Sequence, residues 1–165
     1  MRFSFFKILN SFAGRWPALD YTAVFFASVF PYLMVLFLLV FSFLTKNLLL
    51  FFIPLFSGFI SRFIITQAIY FLYKRNRPCK LNGAKVLIPI PKTSSFPSGH
   101  ASFFFGFSFA ILLFNIPLAI IFITGTCLMA LARVFSGVHW FRDILGGMAV
   151  GLISAILINL FIVGH

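Results

Sequence analysis

The sequence predicts an all-α fold: a polytopic membrane bundle of about five transmembrane helices behind an N-terminal interfacial helix. Three observations predict it. Of the 165 residues, 62% are hydrophobic and 9% charged, too few charges to assemble a water-facing shell. The apolar residues run in stretches near the roughly 20 residues that cross a bilayer core of about 30 Å. The scarce polar chemistry gathers at the ends of those stretches. A single domain over residues 1–165 accounts for the whole length.

The first sixteen residues carry Arg2, Lys7 and Arg15, like the charged start of a signal peptide. Phe5, Ile8, Leu9 and Phe12, however, fall at one-face helical spacing with Lys7, Asn10 and Ser11 mostly elsewhere, which predicts an uncleaved helix lying in the interface. The first span is expected over 21–44 and the second over 48–73, with Thr45-Lys46-Asn47 as a tight hairpin between them. Pro31, Pro54 and Gly58 lie inside these spans as tolerated kinks. The third span, 100–116, and the fourth, 117–133, read as short, and the fifth covers 140–163. Gly147 and Gly151 in the fifth predict close helix packing and no chemical role.

Residues 74–95 form the long connection, with Lys74, Arg75, Arg77, Lys80, Lys85 and Lys92 and no acid. Five crossings put this loop on the same side as the segment from Arg133 to Asp143, so their chemistry converges. The net charge of +11 does not point to nucleic acid, because no soluble basic module is present. The expected partners are the lipid bilayer and a phosphorylated lipid, polyprenyl or phospholipid. Cys79 in the loop and Cys127 mid-span are too far apart to pair and read as free thiols.

Ser98 is a natural N-cap, and the amides near Gly99 and His100 open from a helix start toward an anion. His100, at that start beside a basic loop, is placed to give a proton to a leaving oxygen. Asp143 follows His139 at i+4, so a helix starting near 139 puts both on one face, where the carboxylate holds one ring nitrogen while the other attacks. Arg133 lies six residues before His139 across a turn at Gly137 and can grip phosphoryl oxygens bidentately. Arg142 reads as an interface anchor. A metal site needs three or four convergent ligands. With His165 at the last position, no glutamate and a basic loop alongside, neither a metal nor another cofactor is expected.

Arg77-Pro78, then Pro97-Ser98-Gly99-His100, then Arg133 with His139 and Asp143 at their spacings, resembles the type 2 phosphatidic acid phosphatase superfamily. The resemblance implies a metal-independent phosphatase with a phosphohistidine intermediate. His139 would be the nucleophile, Asp143 would orient it, and His100 would serve as acid then base. Arg77, Ser98, Gly99 and Arg133 would hold phosphate. The family's first motif puts a lysine seven positions before its arginine, where this chain has Tyr70; Lys74, one turn further on, or Arg75 is expected to take that role. Ala132 replaces the serine that usually precedes the motif arginine.

Within the superfamily, residues 10–14 with Leu19-Asp20, and Leu87-Ile88-Pro89 before Ser95-Phe96-Pro97-Ser98, are similar to the bacitracin-resistance type of undecaprenyl diphosphatase. That implies hydrolysis of undecaprenyl diphosphate to the monophosphate, recycling the cell-wall lipid carrier. Phosphatidylglycerophosphate, phosphatidate and lipid A phosphatases, and a lipid phosphotransferase, are the alternatives. Positive-inside counting favours a cytoplasmic site. The resemblance implies a site on the outer face of the bacterial cytoplasmic membrane, which is the expectation adopted.

Overall fold

The computed structural model describes residues 4–80 and 83–163; Arg2 and His165 lie outside them. Among the described residues all regular structure is helical: α1 (Ser4–Ser11), α2 (Pro17–Leu44), α3 (Leu49–Leu72), α4 (Gly99–Leu113), α5 (Ile116–Phe135) and α6 (Phe141–Val163). Four of them, α2, α3, α5 and α6, are long and apolar enough to cross a membrane, and α4 is a shorter apolar helix. The five-span expectation therefore holds. Its detail changes for α5, which runs to Phe135 and at about 1.5 Å per residue reaches the full core thickness.

The short α4 is the centre of the bundle. Nearly every residue from Gly99 to Ala110 is buried, with α3, α5 and α6 packed around it. A buried hydroxyl in an apolar bundle is costly unless it finds a protein partner, and several here do. Ser61 donates to the Ser102 carbonyl at 2.6 Å and Ser154 to that of Ser57 at 2.7 Å, while the Ser108 and Thr126 hydroxyls meet at 2.9 Å. Small residues allow the approach. A Cβ on Gly147 would lie 2.7 Å from that of Ala101, and one on Gly151 would lie 2.5 Å from the Gly106 nitrogen, as expected of residues that pack α6 on α4.

Pro31 and Pro54 are accommodated as expected, and the chain locally widens to π geometry at Phe25–Val29 in α2 and Ile60–Ile65 in α3. The α2–α3 hairpin is closed by Ser42, whose hydroxyl donates to the Asn47 carbonyl and whose carbonyl accepts from the Asn47 amide at 3.0 Å.

The first helix forms where the apolar spacing predicts, but Asn10 is not on its solvent side. Asn10 is buried. Its Nδ2 donates at 2.8 Å to the carbonyls of Lys85 and Phe135, and its Oδ1 accepts from the Lys85 amide at 2.9 Å. Phe6 packs on Trp140 with ring centroids 5.1 Å apart. Gly137 makes the clasp possible: its φ of +79° is open to glycine, and a Cβ there would sit 2.2 Å from the Lys85 oxygen. The side chain of one residue thus pins α1, the basic loop and the end of α5 together. Replacing Asn10 by Ala strands buried backbone groups and is expected to lower stability by about 1–3 kcal/mol. Thermal unfolding in detergent measures it; an unchanged midpoint would make α1 a peripheral attachment.

Candidate active site

The site forms where the basic loop folds over the starts of α4 and α6. Helix α3 stops at Leu72 because Tyr73 turns extended and the Arg75 amide leaves the helix to donate to the Ser94 hydroxyl at 3.0 Å. This corrects the expectation for Lys74. The helix face that would carry it beside Tyr70 has ended, and Lys74 stands exposed beyond it. Arg75 turns inward instead, with its Nη1 3.0 Å from Asp143 Oδ1 and its guanidinium over the Trp140 ring at 5.8 Å. Tyr70, at the lysine position, is buried and donates to the Pro97 carbonyl at 2.9 Å.

Asp143 and His139 come together, though not as two residues of one helix face. The helix begins at Phe141, after His139, and Asp143 folds back so that Oδ2 accepts from the Trp140 amide at 2.9 Å. Oδ2 also accepts from the Ser95 hydroxyl and lies 3.5 Å from His139 Nδ1. The nearest acceptor for Nδ1 is the Ser95 carbonyl at 3.1 Å. A carbonyl can only accept, so the neutral ring carries its proton on Nδ1 and presents a lone pair at Nε2. Arg77 Nη1 lies 3.1 Å from that nitrogen.

Arg77 is buried and nearly saturated. It donates to the carbonyls of Thr93, Ser94 and Val138 and to the Thr93 hydroxyl, at 2.9–3.2 Å. Burial holds its guanidinium below the ordinary value, with Tyr70, Asp143 and Cys79 pulling it upward. Arg133, 3% exposed, donates from Nη1 to the Ala27 carbonyl at 3.0 Å, and its Nε has no partner among the described residues. That carbonyl is available because Pro31, four residues on, has no N–H to return to it.

At the start of α4, Ser98 acts as the N-cap, accepting from the Ala101 amide at 3.4 Å, and its own amide donates to the Asp143 carbonyl at 2.9 Å. The next amides, those of Gly99 and His100, are the donors that a helix start leaves open, without a partner among the described residues. His100 is half-buried, and the charges of Arg133, Arg62 and Arg77 bear on it. Arg77, Ser98, Gly99, His100, Arg133, His139 and Asp143 thus line one side of the bundle, while Arg142 is exposed outside it. Cys79 and Cys127 are free thiols, and no group of three or more His, Cys, Asp or Glu among the described residues is arranged to hold a metal ion.

Sequence reasoning gave no role to Ser95, Thr93 or Arg62. Ser95 and Thr93 reach the site only through the loop's tertiary path, which no local pattern announces. Arg62 did have a signal: it is the one charged residue in the 24-residue helix α3, and an ionisable group inside a span is a functional candidate by default.

Burial pushes the His139 imidazole down to about 4, with Arg133 and Arg77 adding to the push and Asp143 opposing it. The ring is then neutral at physiological pH, the form in which an imidazole can act as a base or nucleophile. Histidine-labelled protein in micelles is expected to show the His139 ring titrating near pH 4, against an ordinary value of about 6.5. Asp143→Asn removes the stabilising carboxylate and should move that titration lower still. Titration between about 6 and 7 in the parent would overturn this electrostatic account.

The PAP2 superfamily model matches residues 48–164. The bacitracin transport permease protein BcrC of Bacillus licheniformis is 26% identical over 156 residues, covering 93% of this chain and 76% of its own length. The crystal structure of Aquifex aeolicus LpxE aligns with a TM-score of 0.75 at 27% identity, covering 96% of this chain and 94% of that one. The transmembrane PAP2 type phosphatidylglycerolphosphate phosphatase from Bacillus subtilis aligns at 0.59 and 21% identity, over 94% of this chain and 83% of its own, a likeness of fold.

Proposed function

The chain belongs to the PAP2 superfamily of membrane lipid phosphatases, and from that premise we propose that it hydrolyses a polyprenyl diphosphate, undecaprenyl diphosphate, to the monophosphate. The observation that carries the chemistry is the setting of His139, whose Nδ1 meets the Ser95 carbonyl and Asp143 while Nε2 meets the Arg77 donor, which favours the proton on Nδ1 and the lone pair on Nε2. In this reading Arg77 shifts its Nη1 donor from Nε2 to an oxygen of the terminal phosphate, freeing the lone pair. Nε2 then forms the P–N bond as the bond from phosphorus to the bridging oxygen breaks. His100 gives that oxygen its proton, and the lipid monophosphate departs. Arg77, Arg133 and the amides at Gly99 and His100 hold the charge developing on phosphorus. His100 next takes a proton from water, whose oxygen attacks phosphorus. The P–N bond breaks and inorganic phosphate leaves.

The substrate reading draws on likeness to BcrC and on shape. An apolar groove lined by Phe52, Phe56, Phe59, Leu157 and Phe161 runs between α3 and α6. Along α6 its near end is about 21 Å from Asp143, which favours a long apolar tail. The site faces the extracytoplasmic side of the bacterial cytoplasmic membrane in this reading. Lys74 stays a phosphate contact only if the loop moves on binding. Phosphatidate, phosphatidylglycerophosphate and lipid A phosphates carry the same reacting group, and transfer to a second lipid would share the first half-reaction.

Phosphate release by purified protein from a panel of these lipids, in excess EDTA, tests the proposal. The polyprenyl diphosphate is expected to be hydrolysed fastest and undiminished by chelation. Loss of turnover in EDTA that a divalent ion restores, on a short-chain soluble substrate, would sink the metal-free mechanism. Rapid-quench trapping with labelled substrate assigns the histidines: His139→Ala should form no acid-labile phosphoenzyme, and His100→Ala should still form some from a substrate with a good leaving group. Label retained on His139→Ala would overturn the assignment of nucleophile.

A further inference from the structure

Arg62 lies inside α3, ten residues before its end and thus about 15 Å along the helix, within the π segment Ile60–Ile65. Its guanidinium covers the first residue of α4 so closely that a Cβ on Gly99 would fall 2.4 Å from Nε and 2.7 Å from Cζ. Glycine at 99 therefore makes room for Arg62, a different reason from close approach of the backbone to phosphate. The Tyr70 and Phe63 rings flank the guanidinium at 5.7 and 5.5 Å. Nη1 is buried with no hydrogen-bond partner among the described residues.

No carboxylate answers this charge. The chain has two acidic residues: Asp20 accepts from the Gly14 amide far away, and Asp143 is committed to Arg75, Ser95 and Trp140. A half-buried cation whose Nη1 donor is buried and idle is costly in a bilayer unless an anion joins it. Nor does Arg62 duplicate Arg77. Arg77 touches the nucleophile His139, whereas Arg62 touches the residue beside the acid His100, on the side where the leaving group departs.

We propose that Arg62 forms a subsite for the inner phosphate of a lipid diphosphate, the phosphate that leaves with the lipid, beside the helix-start amides that hold the transferred one. This rests on the phosphatase reading above and adds the residue that tells a diphosphate from a monoester. When a diphosphate is cleaved, negative charge builds on the departing phosphate, and a guanidinium there stabilises it. When a phosphomonoester is cleaved, the leaving group is an alcohol and the same guanidinium has little to hold. Selectivity for diphosphate over monoester is thereby built into one side chain.

The test compares the parent, Arg62→Met and Arg62→Lys in detergent on geranylgeranyl diphosphate and on short-chain phosphatidate. Arg62→Met is expected to lose about 100-fold or more in kcat/KM on the diphosphate and about tenfold or less on the phosphatidate, with Arg62→Lys between. Ligand-free, Arg62→Met should melt no lower than the parent, because it removes a half-buried cation that no carboxylate answers. Equal losses on both substrates, a fall in the ligand-free melting temperature, or no loss at all would each overturn the subsite. A second measurement is independent of turnover: inorganic diphosphate should raise the parent's melting temperature more than inorganic phosphate does, and this excess should vanish in Arg62→Met. If the parent hydrolyses neither lipid, the phosphatase reading fails. The subsite then stands or falls on whether that excess stabilisation exists and depends on Arg62.

Discussion

Asp143 is the interaction on which the rest of the site depends. It is one of two acids in a chain with thirteen lysines and arginines, and the basic loop, the start of α6 and the cap of α4 are all fastened to it. Its carboxylate takes Arg75 and Ser95 from the loop, the Trp140 amide from the start of α6, and the edge of His139; its carbonyl takes the amide of Ser98, the cap of α4. The separate pieces of chemistry thus share one origin. A displacement of Asp143 would shift His139 and the start of α4 together, so that orienting and structural roles do not separate at this residue.

Around this single carboxylate stand Arg62, Arg75, Arg77 and Arg133, of which one finds its charge answered. The other three are held by carbonyls, by rings, or by nothing at one nitrogen. Such an arrangement is poorly balanced as protein alone. An anion bound among these guanidiniums would complete the balance, which is what the proposed lipid phosphate supplies.

Much of this was legible in the sequence because membranes make polar residues scarce. The helix count followed from apolar lengths, and the Arg133, His139 and Asp143 spacing marked a turn between two spans. What misled was a helix end. Nothing near Leu72 resembles a stop signal, and Pro78 comes six residues later, so Lys74 looked helical; the loop's pull on Arg75 ends the helix first. Asn10 misled for the same reason, its partners Lys85 and Phe135 being remote in sequence. Arg62 was readable as a lone intramembrane charge. What was not readable was its destination, because that depends on the packing of α3 on α4.

The contact between Arg133 and Ala27 joins the site to a helix that lies before the matched family region, which starts at residue 48. Helix α2 turns much of its surface, including Leu33, Leu36, Phe37 and Phe43, to the surroundings, as the outermost member of a bundle would. A helix so placed answers to its lipids, because a span longer or shorter than the local hydrocarbon thickness tilts or shifts to fit it. With 28 residues, α2 exceeds what a core of about 30 Å requires. Because Arg133 hangs on the Ala27 carbonyl, a tilt of α2 to suit a thinner or thicker bilayer would carry one anchor of that guanidinium with it.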